Sequence, residues 1–305
     1  MSKTITYSQC PVCRSNHISY ALEAKDHTVS GEVFPVWHCY NCSCRFTQDV
    51  PEASAIGKYY QSAAYVSHSD TKQGLVNRLY HTVRNYTLKA KRRMVEKESG
   101  KRKASLLDVG AGTGAFAHEM HDAGWKVVAL EPDKTAKENA LKNYSLQLGD
   151  MSAIFSYKPE TFDAITMWHV LEHVHQLHEY IEAFSRILKK DGTLFIAVPN
   201  YTSYDAKKYD DMWAAYDVPR HLYHFSPKSL NALVKQHGFK IVEYKPMWFD
   251  SFYVSMLSEQ YKTGKNNLVA AFWSGLRSNM RTLNNVKRCS SVIYIIKKNL
   301  PQQNK

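Results

Sequence analysis

The feature that most constrains this fold is a glycine loop between a short apolar run and a helical segment. In LLDVGAGTGAF, residues Gly110, Gly112 and Gly114 are separated by single residues. Glycines let a backbone approach a ligand closely, and the N-terminus of the following helix offers free N–H groups. We therefore predict a nucleotide-binding turn at the carboxyl end of a buried strand.

The sequence around this loop alternates short apolar runs with helical stretches. The runs ASLLDVG, KVVALEP, FDAITMW and TLFIAVP are typical of buried parallel strands. This βαβ series predicts an α/β fold with a Rossmann-like, doubly wound sheet, which we expect to have seven strands. We assign residues 104–305 to this domain and expect a helical insertion at about 252–285, before a last strand SSVIYIIKK.

Acidic residues flank the predicted turn. Glu131, followed by Pro132, ends the second strand, where a carboxylate can accept hydrogen bonds from both ribose hydroxyls. Asp108 precedes the first glycine and can face a cationic ligand group. Asp150 and Met151 lie where a third strand should end, as candidate adenine contacts. Read as G-x-G-x-x-A, the loop could also serve NAD, but the other features favour an adenosyl ligand with a cationic amino-acid end.

Three motifs, namely residues 108–114, Glu131 and FDAITMWHVLEHV (162–174), together resemble those of the class I S-adenosylmethionine-dependent methyltransferases. The resemblance covers residues 105 to about 245. It implies an enzyme of the EC 2.1.1 class with S-adenosylmethionine as its cofactor. The implied cofactor-binding residues are Asp108, Gly110, Ala111, Gly112, Gly114, Glu131, Pro132, Asp150, Met151 and Trp168.

Four of the six cysteines form two Cys-x-x-Cys pairs near the N-terminus: Cys10, Cys13, Cys39 and Cys42. Their spacing is close to that of a zinc ribbon, and four thiolates would close the site against water, so we predict a structural Zn²⁺. We assign residues 1–50 to this zinc-ribbon-like module. Four unligated cysteines or a redox pair is the alternative, and Cys44, His38 and His17 are weaker substitute ligands.

Residues 51–103 read as an aromatic connector followed by a basic amphipathic helix. Tyr59, Tyr60 and Tyr65 could form a lid, or simply pack. Lys and Arg far outnumber acids in residues 71–103, and residues 262–305 contain no acid at all. Such segments attract phosphate, an anionic lipid surface or nucleic acid, unless they are only solvated helix faces.

A cysteine module ahead of this core is similar to the zinc-containing sugar C-methyltransferases and to a group of bacterial ribosomal RNA methyltransferases. In the sugar enzymes a matching segment carries a His, and His221 falls on that position; their Tyr three residues earlier is here Val218. The resemblance makes His221 the first candidate for general base, with a loop-packing role as the alternative. His169, directly after the run FDAITMW, is a second candidate for the base. Alternatively, His169 and Trp168 form a wall of the cofactor pocket. Arg220 could pair with an anionic acceptor or form a structural salt bridge.

We therefore expect methylation at oxygen or carbon of a small-molecule or glycan-type acceptor that is anionic or contains a sugar. An RNA methyltransferase, with the ribbon and basic helix gripping phosphate, and a non-enzymatic zinc-ribbon adaptor are the alternatives. Nucleic acid is the less favoured partner, because the run TLFIAVP ends in VPNY and lacks an Asn/Asp-Pro-Pro-aromatic tetrad. The sequence has no apolar run of spanning length and no secretory h-region at its start, which predicts a cytoplasmic protein.

Overall fold

The computed structural model describes residues 4–61 and 75–300, with the backbone alone for residues 75–82. Its strands are β1 (Thr4–Ile5), β2 (Ile18–Lys25), β3 (Val33–Cys39), β4 (Arg45–Thr47), β5 (Val50–Pro51), β6 (Ser105–Val109), β7 (Lys126–Leu130), β8 (Phe162–Trp168), β9 (Leu188–Pro199), β10 (Tyr223–His224), β11 (Phe239–Pro246) and β12 (Ser291–Lys298). Its helices are α1 (Leu75–Ser99), α2 (Ala115–Asp122), α3 (Lys134–Tyr144), α4 (Leu177–Ile187), α5 (Tyr204–Tyr209), α6 (Pro227–Gln236), α7 (Asp250–Thr263) and α8 (Leu268–Asn284).

The central sheet has the strand order β11-β12-β9-β8-β6-β7. Strands β7, β6, β8 and β9 are parallel neighbours, and β12 runs antiparallel to both β9 and β11. The side chains of β8 are buried along almost its whole length, because helices cover both faces of a parallel sheet. The predicted Rossmann-like α/β fold is confirmed.

The predicted number of strands is wrong: in the described residues this sheet has six strands, not seven. At the expected third strand, only one parallel bridge forms, between Leu130 and Gly149. The Gly149 N–H donates to the Ala129 carbonyl at 2.9 Å, but a 3-10 helix over Met151–Phe155 then turns the chain away. Pairing therefore ends before a strand can form.

The N-terminal segment shares a second sheet with the rest of the chain. This antiparallel sheet has the order β10-β4-β3-β2, and Tyr223 of β10 pairs with Phe46 of β4. One apolar cluster continues from Cys10 and Phe46 to Leu107 and Ile196 of the central sheet. About fifty residues bury little surface by themselves, so this shared core supports the N-terminal segment.

Part of the basic charge of α1 and the turn after it is used within the protein. Arg92 donates to Glu119 of α2 at 2.8 Å and also pairs with Glu96. Lys101 lies 2.8 Å from both Asp163 and Asp191. Arg92 thus fastens α1 to α2, and Lys101 fastens the turn after α1 to the central sheet, which leaves fewer cations for an external phosphate.

Helices α7 and α8 occupy the region of the expected insertion, between β11 and β12, and pack on each other. A Cβ added at Gly275 of α8 would lie 2.6 Å from the ring of Phe252, so only glycine permits this close approach. No helix within residues 4–61 and 75–300 is both long and apolar enough to cross a membrane.

A buried guanidinium joins the N-terminal segment to the loop that precedes β10. Arg220 is almost fully buried and donates to Asp26 at 2.9 Å, to Asp217, and to the Tyr59 carbonyl at 2.7 Å. Burial alone would raise the pKa of Asp26, but Arg220 and backbone N–H groups hold it well below its usual range. Arg220 thus forms a structural salt bridge, one of the two roles that the sequence allowed.

We expect Asp26→Asn to lower the free energy of unfolding by about 3 kcal/mol near neutral pH, because the buried guanidinium of Arg220 would lose its fully buried carboxylate partner. Urea denaturation of the full chain measures this change. Glu23→Gln, at an exposed position of the same strand β2, is the matched control and should change stability by less than about 0.5 kcal/mol.

The difference in stability between the wild type and Asp26→Asn should decrease as the pH falls. The pKa of Asp26 is lower in the folded chain than its unfolded value of about 3.9. Its carboxylate therefore stabilises the fold above that pH, and the contribution is lost as the pH falls further. Urea midpoints of the wild type and Asp26→Asn should converge in acid; equal midpoints near neutral pH would contradict the structural role.

Candidate functional site

The glycine turn between β6 and α2 adopts a conformation that favours glycine. Gly110, Gly112 and Gly114 have φ values of 70°, 55° and 78°. The Gly110 N–H donates to the Leu130 carbonyl at 2.8 Å, which ties the turn to β7. A Cβ at Gly110 would collide with Val170, whereas a Cβ at Gly112 would meet nothing within 4 Å. The backbone of Gly112 therefore borders open space that a ligand can enter.

Glu131 lies directly against this turn. Its Oε2 accepts the Gly112 N–H at 2.7 Å, and its Oε1 accepts the Asp133 N–H at 3.0 Å. Burial raises the pKa of Glu131, while the two backbone N–H groups oppose that shift. An ionised carboxylate has about four lone-pair positions, so Glu131 keeps acceptor capacity for a diol at the turn.

Asp108, at the other side of the turn, has an unsatisfied oxygen. Its Oδ1 accepts the Thr166 hydroxyl at 2.7 Å, but Oδ2 is buried with no hydrogen-bond partner in the described part of the chain. Burial raises the pKa of Asp108 to about 7. A buried oxygen without a partner is costly, so this position suits a cationic ligand group.

The remaining predicted cofactor residues surround these three elements. Ala111 belongs to the turn and its N–H donates to the Leu130 carbonyl at 2.9 Å. Trp168 packs edge-on against Phe116, with Lys91 Nζ 4.5 Å from its ring centroid. Pro132 and Asp150 are exposed and Met151 is half-buried, at the rim next to Glu131. Lys137 of α3 pairs with Asp150.

His169 follows β8 in a left-handed conformation, with a φ of 56°. Its Nε2 lies 2.9 Å from Asp250 of α7, and its Nδ1 lies 3.4 Å from Glu172. Burial would lower the pKa of His169, but the two carboxylates outweigh burial and raise it to about 10. The ring is therefore charged at neutral pH and has no lone pair with which to accept a proton.

Glu172, His173 and His221 bring one side-chain atom each to within 4.8 Å of one another. The rings of His173 and His221 meet edge to face, with centroids 4.6 Å apart. Burial lowers the pKa of His173 to about 4. His221 Nδ1 is 2.9 Å from the Ala215 carbonyl; because a carbonyl only accepts, Nδ1 carries the proton and a neutral ring has its lone pair on Nε2.

Glu172 is fully buried, and neither of its carboxylate oxygens has a hydrogen-bond partner among the residues described. Burial would raise its pKa, but His169 and His221 outweigh burial and lower it. The sequence singled out His221 and His169 as candidates, but Glu172 and His173 were not proposed from it. Their position in LEHV could have pointed to them, because residues 171–174 lie just after the carboxyl end of β8, where ligands bind in this kind of sheet.

The connector reaches this cluster through one tyrosine. The Tyr60 hydroxyl lies 3.1 Å from His173 Nδ1, and the Arg220 carbonyl lies 3.0 Å from the same atom. Tyr59 is buried and its hydroxyl donates to Glu32 at 2.5 Å. The third tyrosine of the expected lid, Tyr65, lies outside the described residues.

The four N-terminal cysteines form a compact set. Cys10 and Cys42 Sγ are 3.6 Å apart, as are Cys13 and Cys39 Sγ, and all four sulfurs lie within 4.8 Å. Four sulfurs arranged tetrahedrally at about 2.3 Å from an ion are about 3.8 Å apart. The donor set therefore fits Zn²⁺.

Two equivalent turns present these cysteines. The N–H groups of Arg14 and Ser43 donate at 2.8 Å to the carbonyls of Cys10 and Cys39, respectively. Arg14 and Ser43 also share a left-handed conformation, with φ values of 58° and 59°. The second turn is fixed to the segment after β9, because the Ser43 carbonyl accepts the Tyr201 hydroxyl at 2.9 Å.

The weaker substitute ligands lie apart from this set. Cys44 is fully buried and its thiol donates to the Arg45 carbonyl at 3.0 Å. His38 packs between Tyr40 and Tyr201. The only group of four cysteines that the described residues bring together is the one predicted from the spacing.

Comparison with known proteins identifies relatives of part of the chain. Bovine mitochondrial ubiquinone biosynthesis O-methyltransferase is 28% identical over 163 residues, which cover 48% of this chain and 44% of that protein. Ubiquinone biosynthesis O-methyltransferase of Pelagibacter ubique (strain HTCC1062) is 33% identical over 106 residues, 32% of this chain and 42% of that protein. The chain spans less than half the length of these curated relatives.

Solved structures show the same fold at low sequence identity. A structure described as a sarcosine dimethylglycine methyltransferase from Galdieria sulphuraria has a TM-score of 0.50 and 14% identity, covering 74% of this chain and 88% of that one. A family model described as a methyltransferase domain matches residues 80–244, more than half of the sequence. The predicted resemblance to class I S-adenosylmethionine-dependent methyltransferases is thus confirmed, and the chain belongs to the methyltransferase-domain family.

Proposed function

We propose that this chain transfers a methyl group from S-adenosylmethionine to oxygen or carbon of a small acceptor that is anionic or contains a sugar. The observation that carries the proposal is the glycine turn, where open backbone at Gly112 lies between the Glu131 carboxylate and the unsatisfied Asp108 oxygen. Glu131 would accept the ribose hydroxyls and Asp108 would face the cationic amino-acid end. When bound, the cofactor supplies an electrophilic methyl group on a sulfonium.

The site for the acceptor would lie beside this turn. Val170 touches Gly110 and is followed two residues later by Glu172, so the glycine turn and the buried carboxylate share the carboxyl edge of the sheet. The Leu222 N–H donates to the Glu172 carbonyl at 2.8 Å, which holds the His221 loop over this edge. A hydroxyl or acidic C–H held here would meet the imidazoles of His173 and His221.

We infer that His221, with His173 beside it, removes the proton from the acceptor. His221 Nδ1 and His173 Nδ1 each lie near a backbone carbonyl, which leaves the lone pair of each neutral ring on Nε2. Proton transfer to His221 would place a cation against the Glu172 carboxylate, which stabilises it. His169, already charged, would orient Glu172 rather than act as the base.

Our first expectation for this site concerns the cofactor. Glu131→Ala removes the proposed ribose acceptor and should weaken binding of S-adenosylhomocysteine by about 10-fold to 100-fold, the usual range for hydrogen bonds to a charged group. Isothermal titration calorimetry measures this directly. Glu138→Ala, at an exposed position of the neighbouring helix α3, should leave the affinity unchanged. Equal affinity of Glu131→Ala and wild type would refute the ribose assignment.

The second expectation concerns proton removal. His221→Ala should lower methyl transfer by about 100-fold or more, measured as label entering an extract from labelled methyl donor, while cofactor affinity stays intact. His121→Ala, an exposed histidine on α2, is the control. Because the pKa of His173 is about 4, its titration should not reduce the rate at any pH above about 5. Loss of cofactor binding in His221→Ala would instead indicate a structural role.

We further propose that the four-cysteine set binds one structural Zn²⁺. Elemental analysis of chain purified without chelator should find about one zinc per molecule. Cys10→Ser should lose the metal and unfold at lower temperature, because the binding free energy of a structural zinc adds to folding. Cys289→Ser, at a lone buried thiol, should retain the zinc. Metal-free wild type with unchanged stability would overturn this assignment.

A further inference from the structure

Helix α8 turns its apolar side away from the protein. Six of its apolar side chains are more than half exposed: Leu268, Val269, Phe272, Trp273, Met280 and Leu283. Its buried side consists of small or hydroxyl residues: Ala271, Ser274, Gly275, Ser278 and Thr282. A surface helix normally buries its apolar stripe and exposes its polar one. The reversed arrangement in α8 leaves a large apolar face without a partner in the described chain.

The apolar face continues onto α7 and the turn before it. The ring of Phe272 stacks on Phe252 of α7, with centroids 5.6 Å apart. Trp248 and Phe249, just before α7, are also exposed, and the Trp248 carbonyl accepts the side-chain amide of Asn279 of α8 at 2.8 Å. Contiguous exposed apolar surface of this kind marks an interaction site in a soluble chain.

A basic cavity adjoins this face. It has a volume of about 730 Å³ and its lining includes Lys207, Arg277, Arg281 and Arg288, with no acidic residue. Met280 belongs both to the lining and to the exposed apolar face, so the two surfaces meet along α8.

The cations of this cavity are available to a ligand. In the described part of the chain, no salt bridge joins any of the four to a carboxylate. Arg281 lies over the ring of Tyr204 at 5.3 Å, and Arg288 donates to the Thr202 carbonyl at 3.2 Å. These contacts orient both guanidinium groups but leave their charge uncompensated. The sequence adds no acid anywhere in residues 262–305.

A second copy of the chain suits this surface poorly. In a two-fold symmetric interface the same patch meets itself, so Arg277 and Arg281 would face their own copies without acids between them. An anionic bilayer satisfies both features. Exposed Trp, Phe and Leu enter the boundary between headgroups and acyl chains, while the adjacent Arg and Lys contact lipid phosphates.

We propose that α8, together with the start of α7, docks this protein on an anionic lipid bilayer, with the basic cavity receiving a headgroup phosphate. The docking surface is connected to the carboxyl edge of the central sheet, because Asp250, the first residue of α7, contacts His169. Binding to a bilayer does not depend on methyl transfer, so its test is separate from the tests of the proposed function.

The experiment is co-sedimentation of the full chain with vesicles of phosphatidylcholine alone or mixed with phosphatidylglycerol. The wild type should bind the anionic vesicles at least about tenfold more tightly, and salt should weaken this binding. The double variants Phe272→Ser/Trp273→Ser and Arg277→Gln/Arg281→Gln should each lose about tenfold or more. Because all four side chains are exposed, these variants should retain the thermal midpoint of the wild type.

Matched controls replace exposed residues elsewhere. Leu141→Ser on α3 and Arg93→Gln on α1 should bind vesicles like the wild type. Absence of wild-type binding to anionic vesicles, or equal binding by all variants, would overturn the proposal. So would a dimer in sedimentation velocity that Phe272→Ser/Trp273→Ser dissociates without any vesicle binding. Saturation of the cavity by inorganic phosphate, with no affinity for vesicles, would show an anion site and not a bilayer surface.

Discussion

The structure depends most on the buried guanidinium of Arg220. Its charge is held between Asp26 of the N-terminal segment and Asp217 of the loop before β10. The backbone carbonyl of the same residue lies 3.0 Å from His173 Nδ1. One residue therefore connects the N-terminal sheet, the loop that carries His221 and the second imidazole of the proposed base. A buried charge of this kind needs all its partners, which couples the position of the loop to the folding of the N-terminal segment.

The four-cysteine set is also connected to the carboxyl edge of the central sheet and to the loop that carries His221. Its second turn presents the Ser43 carbonyl to the hydroxyls of Tyr201 and Ser226, each at 2.9 Å, which fixes the chain after β9 and the start of α6. Thr47, a few residues later, donates its hydroxyl to the His221 carbonyl at 2.7 Å. A metal bound by the four cysteines would thus stabilise the frame around the acceptor site without taking part in the chemistry.

Local patterns made the cofactor side of the site predictable from sequence. The glycine turn, Glu131 and the two Cys-x-x-Cys pairs each depend on residues close in the chain, and the structure brings each group together. Contacts between distant segments could not be predicted in this way. The Asp26–Arg220 pair joins residues far apart in sequence. The raised pKa of His169 likewise depends on the carboxylate of Asp250, which lies about eighty residues further along the chain. The expected seventh strand does not form because the chain pairs with β7 through a single bridge, at Gly149, before it turns away.

The shared second sheet has a consequence for biosynthesis. One edge of strand β4 pairs with β10, where Phe46 lies opposite Tyr223. Because β10 lies far along the chain, it is synthesised long after β4. A ribosome adds about 5–20 residues per second, so the N-terminal strands would emerge roughly ten seconds or more before their last neighbour. During that interval one edge of β4 stays unpaired, and such edges invite pairing with other chains. Early capture of an ion by the four cysteines would hold β3 and β4 in place and shorten the period of exposure to aggregation.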